Sequence, residues 1–215
     1  MSRLKMLGLG LLALLAVGAM ASASASASGP YVYTAGSSEP LMGALELTAT
    51  QSGTSELKGV IAGTAITIQC EEGHSEETHG ENVLTTGIEH FLGLTFFHFL
   101  KCTVTKPAGK GCLVENGLVR VHSHILGLII GGVPRIRFAP LAGNFANINI
   151  DGCSNSALNG SFPVAGFAQA IPNNTSSKLE FTEGSGSGLE FAGNAATFIA
   201  NFAVEMTGGG ALEFK

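Results

Sequence analysis

The chain has 215 residues, 45% hydrophobic and only 13% charged, with 11 basic against 16 acidic side chains. That profile excludes a disordered chain, which is rich in charge and poor in apolar residues. A net charge of −5 also lacks the basic footprint of a nucleic-acid-binding surface, so no nucleic-acid partner is expected.

The chain opens with Met1-Ser-Arg-Leu-Lys5, continues as an apolar stretch from Met6 to Met20 and ends that region in an Ala-Ser alternation to Ser28. Charged, apolar and small-residue regions in this order are the pattern of a secretory signal peptide, assigned to residues 1–27. The apolar run falls short of the roughly 20 residues of a membrane-spanning helix. Small residues satisfy the cleavage rule after Ala21, Ala23, Ala25 or Ala27, and the absence of a following Cys argues against a lipid anchor. Loss of Arg3 and Lys5 leaves nine basic against 16 acidic side chains, a mature net charge of −7. Residues 28–40, with Gly29 and Pro30, read as a flexible leader, and residues 41–215 as a single β-rich domain. About 190 mature residues are enough to bury roughly 70% of their unfolded surface.

From Leu41 onward short β-branched and aromatic runs alternate with Gly, Asn and Pro, which predicts an all-β fold, an antiparallel β-sandwich or a barrel-like domain. Strands are expected at Leu45–Thr50, Leu57–Ile61, Thr64–Cys70, Phe91–Thr105, Cys112–His124, Arg135–Ala139, Phe145–Ile150, Gly160–Phe167, Lys178–Thr182, Gly188–Phe191, Phe198–Met206 and Ala211–Phe214. Ala146, Ile148 and Ile150 alternate with Asn147 and Asn149, the period of a strand with one wet face. Phe91–Leu100 and Ile125–Ile130 are apolar on both faces, as strands buried between two layers are. The triplets Leu179-Glu-Phe181, Leu189-Glu-Phe191 and Leu212-Glu-Phe214 echo one another, and the first two are expected to turn Leu and Phe inward and Glu outward. The Gly/Ser tract between the first two predicts a hairpin.

Four cysteines, Cys70, Cys102, Cys112 and Cys153, follow the signal, and an even number in an oxidising compartment implies two disulfides. In the chain-entropy view, pairing 102 with 112 and 70 with 153 is worth about 2.8 and 4.6 kcal/mol, and pairing 70 with 102 and 112 with 153 about 3.7 and 3.9. Entropy does not separate these. A hairpin centred on Pro107 within Thr105-Lys-Pro-Ala-Gly-Lys-Gly111 sets Cys102 opposite Cys112, so 102 with 112 and 70 with 153 is the expected map.

Six histidines are the only candidates for chemistry. His74 and His79 lie in the acidic stretch Cys70-Glu-Glu-Gly-His-Ser-Glu-Glu-Thr-His79, which reads equally as part of a metal site or as a solvated loop; His90, His98, His122 and His124 follow. His122 and His124, two apart on a strand, face the same side and offer two imidazoles to zinc or copper. No third ligand accompanies them in sequence. Gly184-Ser-Gly-Ser-Gly188 matches a nucleophile elbow in letters, but no histidine follows it and it reads as linker. No nucleotide-binding loop is present, and the sequence calls for no cofactor.

The succession Ile66-Thr-Ile-Gln-Cys70, Lys101-Cys102, Cys112, the Gly-Leu-Val stretch from Gly117, Arg137-Phe-Ala-Pro140, Asn149-Ile-Asp-Gly-Cys153 and Lys178-Leu-Glu-Phe181 resembles a group of secreted bacterial disulfide-containing β-domain proteins. It is less closely similar to proteins labelled alkane-oxidation activators. The resemblance spans residues 45–215 and implies a disulfide-bearing sandwich or barrel at the cell envelope or outside it, with no catalytic residues to carry over. The expected function is that of a secreted or cell-surface, non-enzymatic β-domain with a structural, adhesive or envelope-interaction role. A barrel that binds a small hydrophobic ligand between Phe91–Leu100 and Ile125–Ile130 is the alternative. A histidine- or metal-dependent enzyme is a further one, and fibril assembly through the apolar strands another.

Overall fold

Ala146, Ile148 and Ile150 point inward from a strand whose alternate residues, Asn147, Asn149 and Asp151, meet solvent. This period-two pattern recurs around the chain and builds its fold. The computed structural model describes residues 31–41, 44–81, 89–109, 111–207 and 210–215; the signal peptide expected at 1–27 lies outside them. The strands are β1 (Val32–Thr34), β2 (Ala44–Gln51), β3 (Ser55–Ile61), β4 (Thr64–Glu81), β5 (Glu89–Lys106), β6 (Leu113–Val114), β7 (Leu118–Ile130), β8 (Val133–Pro140), β9 (Ala146–Asp151), β10 (Gly160–Asn173), β11 (Lys178–Phe181), β12 (Gly188–Phe191), β13 (Asn194–Met206) and β14 (Leu212–Phe214). Every expected strand has its counterpart, and the fold is all-β and sandwich-like.

The pairings close on themselves. β4 pairs with β5, β5 with β7, β7 with β8, β8 with β10, β10 with β11, β11 with β13, β13 with β3 and β3 with β4, all antiparallel. β2, β6, β9 and β12 extend β3, β7, β8 and β11 lengthwise beyond short interruptions and take up the same neighbours. Each strand of the ring therefore lies beside its neighbours in sequence, an up-and-down arrangement that leaves few unpaired edges.

Phenyl rings fill much of the interior. Phe202 lies 5.1 Å from Phe97, 6.0 Å from Phe99 and 5.8 Å from Phe181 between ring centroids, and Phe138 lies 5.3 Å from Phe181. Such tilted and edge-on pairs add about 0.5–1.5 kcal/mol each beyond the area they bury. The expectation that β5 and β7 are apolar on two buried faces holds for one face. Phe97 and Phe99 are buried, whereas Phe96, His98 and Leu100 on the other side are half-buried. Lateral contacts on that outer face, such as Phe96 against His122 at 4.6 Å, provide part of the cover.

Three further expectations are corrected. The leader at 28–40 is not loose throughout: Val32–Thr34 pair with Leu212–Phe214, and Val32, only 1% exposed, joins Leu212 and Phe214 in the core. The turn between β10 and β11 receives this two-stranded unit. Asn174 donates to the Phe214 carbonyl and accepts from its N–H, while Ser177 does the same for Leu212, imitating a strand edge with side chains.

The second concerns the triplets. All three bury Leu and Phe, but β11 and β12 do not form a hairpin; they lie end to end between β10 and β13. The Gly/Ser tract between them folds back onto buried Gln169. The Gln169 side chain donates to the Ser185 carbonyl at 2.7 Å and its backbone N–H donates to the Ser187 hydroxyl at 2.9 Å.

The third is the disulfide map. The bonds join Cys70 to Cys102 and Cys112 to Cys153, not 102 to 112 and 70 to 153. Thr103 pairs with Leu113, which moves the midpoint of the turn from Pro107 to Ala108. A one-residue shift of the midpoint displaces the register by two, so Cys102 and Cys112 are not opposite one another. Cys70 instead stands directly across from Cys102 on β4 and β5, and the β6–β9 pairing brings Cys112 beside Cys153.

Candidate functional site

The acidic stretch after Cys70 is part of strand β4, not a loop. On this strand His74 pairs with His98 of β5. His98 lies between the inward-facing Phe97 and Phe99, so the period of two turns it outward, and its partner His74 shares that face. The pairing slips one residue later: Ser75 meets Phe97, but Glu77 meets Phe96. Glu76 is thus the extra residue of a β-bulge, a device that re-aims side chains beside functional sites. The ladder to β2 slips at the same level, between Leu47 and Thr50. There the Ser75 hydroxyl accepts the Ala49 N–H at 2.8 Å, holding the irregular segment in place.

The bulge turns Glu76 toward His98. His98 Nδ1 and Glu76 Oε1 are 2.9 Å apart, with the two side chains 15% and 54% exposed. The His74 and His98 rings meet edge-on at 6.0 Å. One nitrogen or oxygen from each of His74, Glu76 and His98 lies within 4.8 Å of the other two, and among the described residues this is the one group of three such side chains placed to share a metal ion. Nearby, Lys101 is ion-paired with Glu72. The carboxylate beside it raises the Lys101 ammonium above its ordinary range, first through their hydrogen bond. Arg120 of β7 stands across from His98 on the other side.

His122 and His124 do share a strand face, but among the described residues no third ligand is grouped with them. His122 packs edge-on against Phe96 and lines a shallow polar cleft with Arg120, Asn147 and Asn149. His124 pairs across with Leu94. The side chains of His79 and His90 lie outside the described residues. Sequence spacing missed the His74–His98 pair because their 24-residue separation carries no periodic signal. The signal that could have found it is the disulfide: from Cys70 opposite Cys102, four residues onward on β4 and four back on β5 lead to His74 opposite His98.

A second feature lies inside the ring of strands. An apolar hollow of about 90 Å³ is lined from β3 to β13 by residues that include Phe97, Phe99, Phe138, Val121, Ile148 and Phe202. Ser123 of β7 also lines it and is 0% exposed. Its hydroxyl has no hydrogen-bond partner among the described residues. Comparison with protein-family models, curated proteins and solved structures finds no match to this chain.

Proposed function

We propose that this chain is an exported, disulfide-stapled, non-catalytic β-domain whose interior takes up a small apolar molecule. The observation that carries the reading is the hollow, with the unpartnered Ser123 hydroxyl among its lining residues. Binding sites for small molecules are mostly apolar with a few placed polar groups, and eight-stranded rings hold side chains or one small ligand. An ordered water is a poor occupant, since it needs two to four polar partners. The size limits the ligand to a short hydrocarbon or a similar fragment: a dry apolar cavity of roughly 150 Å³ admits benzene, and this one is smaller. Export is supported by the amino-terminal pattern and by two intramolecular disulfides, which suit an oxidising compartment.

A structural or adhesive role at the cell surface is the second reading. It is favoured by how fully the phenyl rings pack, leaving far less than the roughly 300–1,000 Å³ of most ligand pockets. Xenon or short-chain hydrocarbon titration followed by NMR separates the two. Saturable shifts at Phe97, Phe138 and Ser123, abolished when Ala168→Leu fills the hollow, support uptake. A hollow that stays empty under these probes, in a variant-insensitive fold, rejects it in favour of the structural role.

A further inference from the structure

We propose that His74, Glu76 and His98 form a binding site for a divalent transition-metal ion of the zinc class on the outer face of the β4–β5 ladder. The donor set is the first argument. Imidazole nitrogens and a carboxylate oxygen are the ligands zinc takes, and two histidines with one glutamate leave a fourth position for water or an external ligand. Harder cations such as magnesium and calcium favour all-oxygen sites, so the pair of imidazoles selects against them.

The geometry is the second argument. Bonds of roughly 2.0–2.1 Å in a tetrahedron place ligand atoms about 3.3 Å apart. Here the three atoms lie within 4.8 Å of one another, and the His98–Glu76 separation is already 2.9 Å. Closing the set requires side-chain rotation, for which the exposed Glu76 has the most freedom. The histidines sit on paired strands, and the backbone that aims Glu76 is fixed by the bulge and by the Ser75 hydroxyl bond to Ala49. Rigid elements carrying the ligands keep the ordering cost of binding low.

The charge balance is the third. Metal-free, the His98–Glu76 contact satisfies one imidazole and one carboxylate, and a cation replaces that contact without leaving either buried and unpaired. Arg120 across from His98 opposes the cation. Glu71 and Glu72, both exposed on β4, offset it, although Glu72 is shared with Lys101.

The test is zinc titration of the untagged, oxidised protein by calorimetry, with equilibrium dialysis and elemental analysis for stoichiometry. One zinc per chain is expected, with affinity falling at least tenfold in His74→Gln, His98→Gln and Glu76→Gln, and unchanged in His122→Gln with His124→Gln. Circular dichroism and thermal melts check that the variants fold. A variant-independent readout accompanies them: in the wild-type chain, zinc should protect His74 and His98 from diethylpyrocarbonate, mapped by peptide mass. Binding below one equivalent, affinity indifferent to His98→Gln, or equal modification of His74 and His98 with and without zinc overturns the proposal and leaves a contact between His98 and Glu76 only.

Discussion

His74 stands directly opposite His98 in the same unbroken register that sets Cys70 opposite Cys102. No bulge intervenes between the two pairs, so the disulfide fixes the spacing of the imidazoles by fixing the ladder that carries both.

The covalent link should therefore act on the metal site from four residues away. Replacing Cys70 and Cys102 together by Ser is expected to cost about 3.7 kcal/mol in the chain-entropy view and to weaken zinc binding several-fold. Replacing Cys112 and Cys153 together is expected to cost about 3.9 kcal/mol with zinc affinity retained. Denaturant unfolding and calorimetry on the two double variants read both effects. Non-reducing peptide mapping should recover the 70–102 and 112–153 linked peptides; a 102–112 peptide would show the ladder to be wrong.

Phe202 sits at the meeting point of Phe97, Phe99 and Phe181, so its truncation leaves a cavity that several packed rings cannot close. Phe202→Ala is expected to destabilise by about 3–5 kcal/mol. Leu113, 59% exposed, provides the control: Leu113→Ser should stay within about 0.5 kcal/mol. Similar losses for both in denaturant melts would contradict the burial assigned to Phe202.

Gly166 adopts a left-handed φ of +86°, and a Cβ there would lie 2.0 Å from the Gly188 carbonyl oxygen. Both strain and collision oppose any side chain where β10 meets β12. Gly166→Ala should cost more than about 1 kcal/mol, whereas Gly193→Ala, with a positive φ but open space around it, should cost less. Comparing the two melting temperatures isolates the collision, and a smaller loss at Gly166 would refute it.

The β1–β14 unit should respond to acid. The Lys215 ammonium, then the Gly36 N–H, hold the Glu213 carboxyl below its ordinary range. A carboxyl depressed in the folded state contributes stability above its unfolded value. That contribution starts to fall once the pH drops below about 4.3, the ordinary glutamate value, and is gone below the depressed folded one. Glu213→Gln should remove this part of the acid sensitivity and leave the neutral-pH fold intact. Limited proteolysis near residues 31–40 and 207–215 across pH 3–7 measures it, and identical profiles for wild type and Glu213→Gln would rule it out.

Much of the strand architecture was legible along the chain because a strand's faces obey a local rule: alternate residues point to opposite sides. Residues 145–150 and 135–139 show it plainly, and the first two Leu-Glu-Phe triplets turn Leu and Phe inward as their pattern predicts. Register is another matter. It belongs to two strands at once, and a shift of one residue in the turn near Pro107 redirected a cysteine and with it the disulfide map. The misread hairpin at 182–187 had the same origin, since a flexible Gly/Ser tract looks alike whether it reverses the chain or docks onto Gln169.

The sequence by itself determined the all-β class, the buried faces of β8, β9, β11 and β12 and the expectation of two disulfides, because composition and period-two patterning act within a few residues. Only the tertiary structure decided which cysteines meet, that the strand pairings close around an apolar hollow, that residues 32–34 join the carboxy-terminal strand, and that His74, Glu76 and His98 share one outer surface. Those depend on ladder register and a single bulge, which arise when strands distant in sequence compete to pair, and no local pattern encodes the outcome.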